Sequence, residues 1–211
     1  MKIKDSQGKL VAVLGYGLEG KAVTKYLIKH GIKPVLFDQS PWEKWSTEEQ
    51  NAIKNFGLNF IFGPDCFKEL VGFDIAFRSP GIKISQLPIN NLLLTSQTKF
   101  IFDNCLAKII GVTGTKGKGT TSALIYEMLK LQFIDYNLKP RVYLTGNIGY
   151  TQPLDIIDNL ASDDWVVYEL SSFQLQDLEK SPHIGVVLMV TSEHLDYHRN
   201  NQEYVSAKEA V

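Results

Sequence analysis

Short apolar runs alternate with amphipathic stretches in the first part of the chain. The run LVAVLG from Leu10 is followed by GKAVTKYLIKHG, whose apolar positions recur at helical spacing, and then by KPVLFD, which ends at Asp38. Apolar runs separated by helical stretches are typical of parallel strands that are covered on both faces. This order of strand, helix and strand predicts the opening of a parallel α/β sheet.

Further apolar runs extend this first sheet. We expect strands at NFIFG, FDIAF and NLLLT, which begin at Asn59, Phe73 and Asn91. Between the second and third strands, Ser46 precedes Glu49 by three residues, and this capping-box spacing predicts the start of a helix. The first part of the chain is therefore predicted to be Rossmann-like, with an open parallel sheet.

A second series of apolar runs begins at KIIGVT. It continues with a helix from about Lys118 to Gln132 and with strands at RVYLT, WVVYEL and IGVVLMV. A short helical segment, TKFIFDNC, precedes this series and places the boundary between the two. The sequence thus predicts two α/β domains, a Rossmann-like domain over residues 1–105 and part of a P-loop ATPase-type domain over residues 106–211.

The amino-acid composition indicates which classes of binding partner to expect. The 22 basic and 23 acidic residues are spread along the 211-residue chain, so no field favours nucleic acid or a membrane surface. Cys66 and Cys105 lie far apart in apolar surroundings, as expected for free thiols in a reducing compartment. The N-terminus lacks a signal-peptide pattern, and no stretch is long enough to span a membrane. We therefore expect a cytoplasmic protein with neither nucleic acid nor membrane as a partner.

A glycine cluster follows the first predicted strand. Gly15, Gly17 and Gly20 have the spacing G-x-G-x-x-G, and Asp38 ends the next strand. Such glycines let the backbone approach a diphosphate at a helix N-terminus, while the acidic residue typically binds a hydroxyl or a base edge. The kind of nucleotide stays open, a nicotinamide cofactor included, and so does a purely structural turn. The segment Ser79-Pro80-Gly81 follows a later strand, either as part of the same site or as a simple turn.

A second glycine-rich segment lies between the strand KIIGVT and the helix that follows. Successive N–H groups there form an anion nest, Lys118 brings an ammonium group to the β and γ phosphates, and a nearby hydroxyl can hold Mg²⁺. The spacing departs from the general P-loop, because Val112 stands where a first glycine is expected and Gly119 separates the lysine from Thr120. Lys116 also fits a solvated charge. We predict that ATP is bound by Gly114, Thr115, Lys116, Gly117, Lys118, Gly119, Thr120 and Thr121.

Three later strand ends carry polar residues. GNIG begins at Gly146, ELSSFQL at Glu169 and EHLD at Glu193. In a parallel sheet these ends converge on the edge that also carries the phosphate loop, so Glu169 and His194 are candidates for a shared cation. A carboxylate suits Mg²⁺, and a histidine suits Mn²⁺ or a second metal. By spacing alone, Lys208 is expected to be an exposed helix residue.

Together these motifs resemble the Mur ligases of peptidoglycan synthesis, and within them the D-glutamate-adding branch. The resemblance rests on GVTGTKGKGTT, GNIG, ELSSFQL, SEHLDYH, the pair Ala207–Lys208 and the N-terminal VAVLGYGLEG. It implies a cytoplasmic, monomeric, ATP-dependent ligase that joins UDP-N-acetylmuramoyl-L-alanine to D-glutamate through an acyl phosphate. The alternatives are a folylpolyglutamate synthase-like ligase, which would not carry the N-terminal glycine unit, and a protein that only binds nucleotides.

The resemblance also implies roles for single residues. It assigns the uridine diphosphate part of the substrate to Gly15, Tyr16, Gly17, Leu18, Asp38, Ser79 and Gly81, and the sugar-peptide part to Asn147 and Ser171. It assigns catalysis to Lys118, Asn147, His194 and Lys208, and the metal, Mg²⁺ or Mn²⁺, to Thr120, Glu169, His194 and a carbamylated Lys208. A carbamate would turn an ammonium group into an oxygen ligand for a dication.

The chain departs from the family pattern at several positions. Lys116 stands where asparagine is frequent, and Met189 and Glu193 replace the asparagine and aspartate that commonly precede the histidine. The family continues beyond the position of Val211 with the rest of the ATPase domain and a domain expected to bind D-glutamate. From this chain alone we expect binding of substrate and nucleotide, and no turnover.

Overall fold

The structure is a computed structural model that describes residues 1–88, 91–135, 140–148, 151–176, 178–191 and 201–211, with the backbone alone at residues 134, 135 and 201–203. The chain divides into two compact units, Met1–Phe100 and Ile101–Val211. The division falls within the helix Gln97–Asn104, and the predicted domain boundary between residues 105 and 106 lies just after that helix. Each unit has its own parallel sheet and its own core.

The first unit alternates strands and helices, as the hydrophobic pattern predicted. Helix α2 begins with the predicted capping box, in which Ser46 Oγ accepts a hydrogen bond from the Glu49 N–H and the Glu49 carboxylate accepts one from the Ser46 N–H. Short 3₁₀ helices occupy Ile3–Ser6, Trp42–Lys44, Cys66–Leu70 and Ile84–Gln86. The elements are β1 (Val11–Leu14), α1 (Leu18–Lys29), β2 (Val35–Asp38), α2 (Thr47–Asn55), β3 (Phe60–Phe62), β4 (Ile75–Arg78), β5 (Leu93–Thr95) and α3 (Gln97–Asn104).

The five strands of this unit form a parallel sheet in the order β3-β2-β1-β4-β5. One face is buried by small and large apolar side chains in turn, with Ala12 and Ala76 beside Leu14 and Phe37. The order of the strands reverses between β1 and β4, which is where open α/β sheets bind their ligands. The loops that follow these two strands, after Leu14 and Arg78, are therefore neighbours at the carboxyl edge of the sheet.

The second unit also contains an open parallel sheet, with four strands in the order β7-β8-β6-β9. Its core is formed by Ile110, Val112, Leu144 and Val167, and α4 packs against it. The strand order reverses between β6 and β9, so the loop after β6 lies at the ligand-binding edge. The elements are β6 (Lys108–Thr113), α4 (Lys118–Asp135), β7 (Val142–Gly146), α5 (Pro153–Ile156), β8 (Trp165–Glu169), α6 (Ser172–Leu175), β9 (Ile184–Val187) and α7 (Asn201–Ser206), with 3₁₀ helices at Ile157–Asn159 and Ala207–Ala210.

The observed fold agrees with the predicted class, which was an open Rossmann-like sheet followed by a P-loop-type α/β unit. Within the described ranges, no helix combines the length and the apolar character needed to cross a membrane.

Candidate functional site

The loop between β6 and α4 presents backbone donors to an anion. The N–H groups of residues 116–120 have no acceptor among the described residues. The N–H of Thr115, in contrast, donates to the Met189 carbonyl oxygen at 3.0 Å, so it is already used within the protein. Gly114 has φ +145°, and a Cβ atom there would lie 2.6 Å from the Leu188 Cβ, so the turn requires glycine. Consecutive free donors at a helix N-terminus form a phosphate-binding nest.

The ammonium group of Lys118 lies against this loop. Its Nζ donates to the carbonyl oxygens of Gly114 and Thr115, at 3.1 and 2.9 Å. Lys116 is exposed, which agrees with the alternative of a solvated charge. The Lys118 ammonium group can therefore transfer its hydrogen bonds from these two carbonyl oxygens to phosphate oxygens bound at the same loop.

Glu169 ends β8, the strand that pairs with β6, and its side chain is buried beside the loop. Its Oε2 lies 4.0 Å from the position that a Cβ atom on Gly119 would occupy. Burial raises the pKa of the Glu169 carboxyl, and the positive charge of Lys118 opposes that rise. The carboxylate thus lies over the first turn of α4, the turn that carries the exposed Thr120.

Lys208 is buried, with only 4% of its surface exposed. The expectation of an exposed helix residue, drawn from its spacing, is wrong, because the segment after α7 packs against the carboxyl end of β6. The Lys208 Nζ donates to Thr113 Oγ1 at 3.4 Å and to the Gly114 carbonyl oxygen at 3.2 Å, and it lies 4.6 Å from the centre of the Tyr204 ring. The implied role of a carbamylated Lys208 as a metal ligand stays a prediction.

Tyr204 is a residue of this site that the sequence reasoning missed. It is almost fully buried, and its hydroxyl lies 3.0 Å from Thr115 Oγ1. The same Thr115 hydroxyl donates to the Thr191 carbonyl oxygen at 3.1 Å and accepts from the Thr191 N–H at 2.9 Å. The predicted ATP-binding role of Thr115 therefore competes with contacts inside the protein. The available signal was the spacing of four residues between Tyr204 and Lys208, which places them on one helical face.

Asn147 and Ser171 follow neighbouring strands. Asn147 is exposed, and its N–H donates to the Glu169 carbonyl oxygen at 3.2 Å. The preceding Gly146 has φ +101°, and a Cβ atom there would come within 2.2 Å of the same oxygen. Ser171 caps α6, since its Oγ accepts from the Gln174 N–H and its own N–H donates to Gln174 Oε1. The sequence reasoning missed this capping box, which occupies the hydroxyl predicted to face the substrate.

His194 lies outside the described residues. Among the residues that are described, no group of three or more histidine, cysteine, aspartate or glutamate side chains could hold a metal ion. The donors that are present still fit Mg²⁺, because a buried carboxylate of Glu169 and the hydroxyl of Thr120 lie at the edge of a phosphate nest. Mg²⁺ typically takes one or two protein oxygens and completes its shell with water and substrate phosphates.

In the first unit, the glycine loop after β1 is held by close contacts. Gly15 has φ +84° and donates its N–H to the Phe37 carbonyl oxygen at 2.7 Å. Gly20, in the first turn of α1, is so near that a Cβ atom on it would lie 1.8 Å from the Gly15 carbonyl oxygen. Gly17 is the N-cap of α1, and no atom crowds it. Leu18 follows it as the exposed first residue of the helix.

The carboxylate of Asp38 already accepts two backbone hydrogen bonds. Oδ2 accepts from the Tyr16 N–H at 2.7 Å, and Oδ1 accepts from the Ser40 N–H at 2.8 Å. Asp38 thus ties the glycine loop to the loop after β2. The sequence pattern suggested a hydroxyl or a base edge as its partner, and each oxygen keeps a second lone pair for such a ligand.

The loop after β4 is bonded to the glycine loop. Ser79 Oγ donates to the Gly15 carbonyl oxygen at 3.1 Å, and the Ser79 N–H donates to the Leu14 carbonyl oxygen at 2.9 Å. Gly81 is exposed two residues later. Three residues assigned to one site from the sequence, Gly15, Asp38 and Ser79, are therefore joined at one edge of the sheet.

Tyr16 contributes its backbone to this edge, and its ring to an aromatic cluster. Its ring centre lies 5.5 Å from that of Trp45 and 6.4 Å from that of Phe62. Burial raises the pKa of the Tyr16 hydroxyl, and the nearby Glu49 adds to the rise. Lys21 lies over both the Tyr16 and Trp45 rings, where its Nζ also donates to Glu49.

A pocket of about 420 Å³ opens beside this edge. One of its lining residues is Gln39, which follows Asp38 in the sequence. The pocket's volume falls in the range of roughly 300–1,000 Å³ that is usual for small-molecule sites. Three segments that are far apart in the sequence line it, and none carried a motif, so sequence reasoning missed it. The lining residues are Gln39, Pro64, Asp65, Phe67, Lys68, Ser85, Gln86, Leu87 and Pro88.

Comparison with known proteins finds similarity to one family. Residues 112–211 match the Mur ligase middle domain. The chain is 37% identical over 213 residues to the UDP-N-acetylmuramoylalanine–D-glutamate ligase of Ruminiclostridium cellulolyticum, and 39% identical over 214 residues to that of Acetivibrio thermocellus. Each alignment covers 99% of this chain. The chain is thus similar to Mur ligases over almost its whole length.

Mur ligases as a family are ATP-dependent, and they use magnesium. The chain spans 44% of the length of those two curated relatives. A solved structure agrees at the level of the fold. The UDP-N-acetylmuramate–alanine ligase of Thermotoga maritima is 20% identical and superimposes with a TM-score of 0.51, over 96% of this chain and 46% of that protein.

Proposed function

We propose that this chain supplies the UDP-substrate site and the phosphate-binding wall of an ATP-dependent ligase that adds D-glutamate to UDP-N-acetylmuramoyl-L-alanine in the cytoplasm. The observation that carries the proposal is the convergence of Lys118, Lys208 and Glu169 on one phosphate loop. The relatives named for this reaction match both units of the chain, which favours it over a folate ligase.

The phosphate loop suits phosphoryl transfer to a carboxylate. The N–H groups of residues 116–120 would hold phosphate oxygens, and Lys118 would leave the carbonyl oxygens of Gly114 and Thr115 to neutralise the transferring group. Glu169 and Thr120 would hold Mg²⁺, which supplies further positive charge when it is bound. The product of this step is the acyl phosphate that the amine of D-glutamate attacks.

The first unit suits the uridine diphosphate part of the substrate. The N-terminus of α1 and the loop of Gly15 would bind the diphosphate, and the pocket lined by Gln39 would hold the nucleoside. Asp38 lies between these two places. Its free lone pairs would accept a hydrogen bond from the base or the ribose.

Calorimetry on this chain tests the proposal directly. We expect heat and a single site with UDP-N-acetylmuramoyl-L-alanine, a competing site with UDP, and a separate site with Mg²⁺-ATP. Binding of NADH with no heat from either uridine ligand would instead assign the first unit to a nicotinamide cofactor and overturn the proposal.

A further inference from the structure

Arg78 is a fully buried cation at the carboxyl end of β4, with 1% of its surface exposed. Its Nη1 donates to three carbonyl oxygens of the loop that follows, those of Ser79 at 3.4 Å, Pro80 at 3.1 Å and Ile82. A buried guanidinium group costs free energy unless it is well bonded, so three acceptors from one short loop tie that loop firmly to it.

The direction of these carbonyl groups decides where the loop presents its donors. All described peptide bonds are trans, and in a planar trans peptide the C=O and N–H groups point in opposite directions. The Pro80 carbonyl oxygen is bonded to the guanidinium group, so the N–H of Gly81 in the same peptide points away from it. Gly81 is exposed, and its N–H has no acceptor among the described residues.

The Gly81 N–H lies at the same edge of the first sheet as the glycine loop. The Ser79 hydroxyl binds the Gly15 carbonyl oxygen at 3.1 Å, and a Cβ atom on Gly15 would lie 2.8 Å from that hydroxyl. The two loops are therefore in contact at the point where the strand order of the sheet reverses. Arg78 is hydrogen-bonded to the loop after β4, and α1 begins directly after the glycine loop.

We propose that Arg78 is a positioning residue for the diphosphate of a nucleoside diphosphate ligand. It orients the loop of residues 79–82 so that the Gly81 N–H faces the ligand, and its charge favours an anion at that edge without touching it. This inference rests on the proposed function of the first unit, and it adds a residue that no motif in the sequence indicates.

Calorimetric titration with UDP and with uridine tests this role. We expect Arg78→Met to weaken the binding of UDP about tenfold or more and to change the binding of uridine by less than about threefold. Arg78→Lys keeps the charge and should recover part of the affinity for UDP. Lys25→Met, which removes an exposed charge on α1, is the matched control and should bind UDP as the original chain does.

Two outcomes distinguish a failure of the proposed function from a failure of the role of Arg78. If the unaltered chain does not bind UDP, the proposed function of the first unit is wrong, and the role of Arg78 falls with it. If the unaltered chain binds UDP and folded Arg78→Met binds it equally well, the role of Arg78 alone is wrong. The binding of ATP to the second unit should stay the same in every variant.

Amide NMR on the unaltered chain gives a test that does not depend on the stability of a variant. Addition of UDP should shift the Gly81 amide resonance strongly, together with that of Leu18. A shift at Leu18 with none at Gly81 would overturn the proposal, because the loop held by Arg78 would then not meet the ligand.

Discussion

The ammonium groups of Lys118 and Lys208 donate to one and the same carbonyl oxygen, that of Gly114, at 3.1 and 3.2 Å. The two lysines lie far apart in the sequence, one at the start of α4 and the other in the 3₁₀ helix after α7. Two positive charges that share one acceptor repel each other, and a bound anion would relieve that repulsion. The shared oxygen lies at the start of the phosphate loop, so we expect the two ammonium groups to favour a polyphosphate there.

Replacing Lys118 should therefore impair nucleotide binding without unfolding the unit. We expect Lys118→Met to weaken the binding of Mg²⁺-ATP about 10- to 100-fold, because a charge-assisted contact to phosphate is lost. Calorimetry with ATP measures the effect. Lys130→Met, an exposed lysine on the same helix, is the control and should stay within about twofold. Equal affinities for the Lys118 variant and the control would contradict the assignment.

The carboxylate of Glu169 should contribute to ATP affinity only when a metal is present. We expect Glu169→Gln to abolish most of the increase in ATP affinity that Mg²⁺ gives, while affinity in EDTA changes little. Because burial raises the pKa of this carboxyl, the neutral amide should also leave the ligand-free protein at least as stable. Glu127→Gln, an exposed carboxylate on α4, serves as the control. An undiminished effect of Mg²⁺ in the Glu169 variant would exclude it as a ligand.

Gly20 should tolerate no side chain, whereas Gly17 should. A methyl group on Gly20 would lie 1.8 Å from the Gly15 carbonyl oxygen, while one on Gly17 meets no atom within 4 Å. We expect Gly20→Ala to lower the free energy of unfolding of the first unit by about 2 to 4 kcal/mol, against about 1 kcal/mol or less for Gly17→Ala. Urea unfolding followed by tryptophan fluorescence measures both, since Trp42 and Trp45 lie in this unit. Similar losses for both variants would refute the steric explanation.

The ion pair of Lys21 and Glu49 should make stability depend on pH in the acid range. The hydrogen bond from Lys21, helped by those from Ser46, lowers the pKa of Glu49 from its ordinary 4.5 to about 2. A lowered folded-state pKa adds stability that is complete above pH 4.5 and is lost as the pH falls toward 2. The pair is partly exposed, so its contribution is on the order of 1 kcal/mol or less.

Comparison of the original chain with Glu49→Gln checks this dependence. The difference in urea midpoint should be present at pH 7 and shrink steadily below pH 4.5. Glu48→Gln, in the same first turn of α2, controls for the effect of a carboxylate near a helix N-terminus. A difference between the original chain and Glu49→Gln that does not vary with pH would show that the pair does not set the acid stability.

Local patterns in the sequence determined the order of the elements and the two glycine loops. The alternation of apolar runs predicted nine strands, and all of them are present in the structure, because short apolar runs between helical stretches are typical of parallel α/β sheets. The capping box of Ser46 and Glu49 was predictable for the same reason, since its contacts join residues three apart. The resemblance to the Mur ligases also rested on contiguous motifs.

Only the tertiary structure decided which polar groups are buried and with what they pair. Lys208 looked exposed by spacing and is buried at Gly114, while Arg78 and Tyr204 carried no motif and hold two loops in place. The pocket lined by Gln39 is assembled from three separate segments of the chain. Helix and strand patterns report periodicity over a few neighbouring residues, whereas burial and hydrogen bonding at these positions depend on residues that folding brings together from distant parts of the chain.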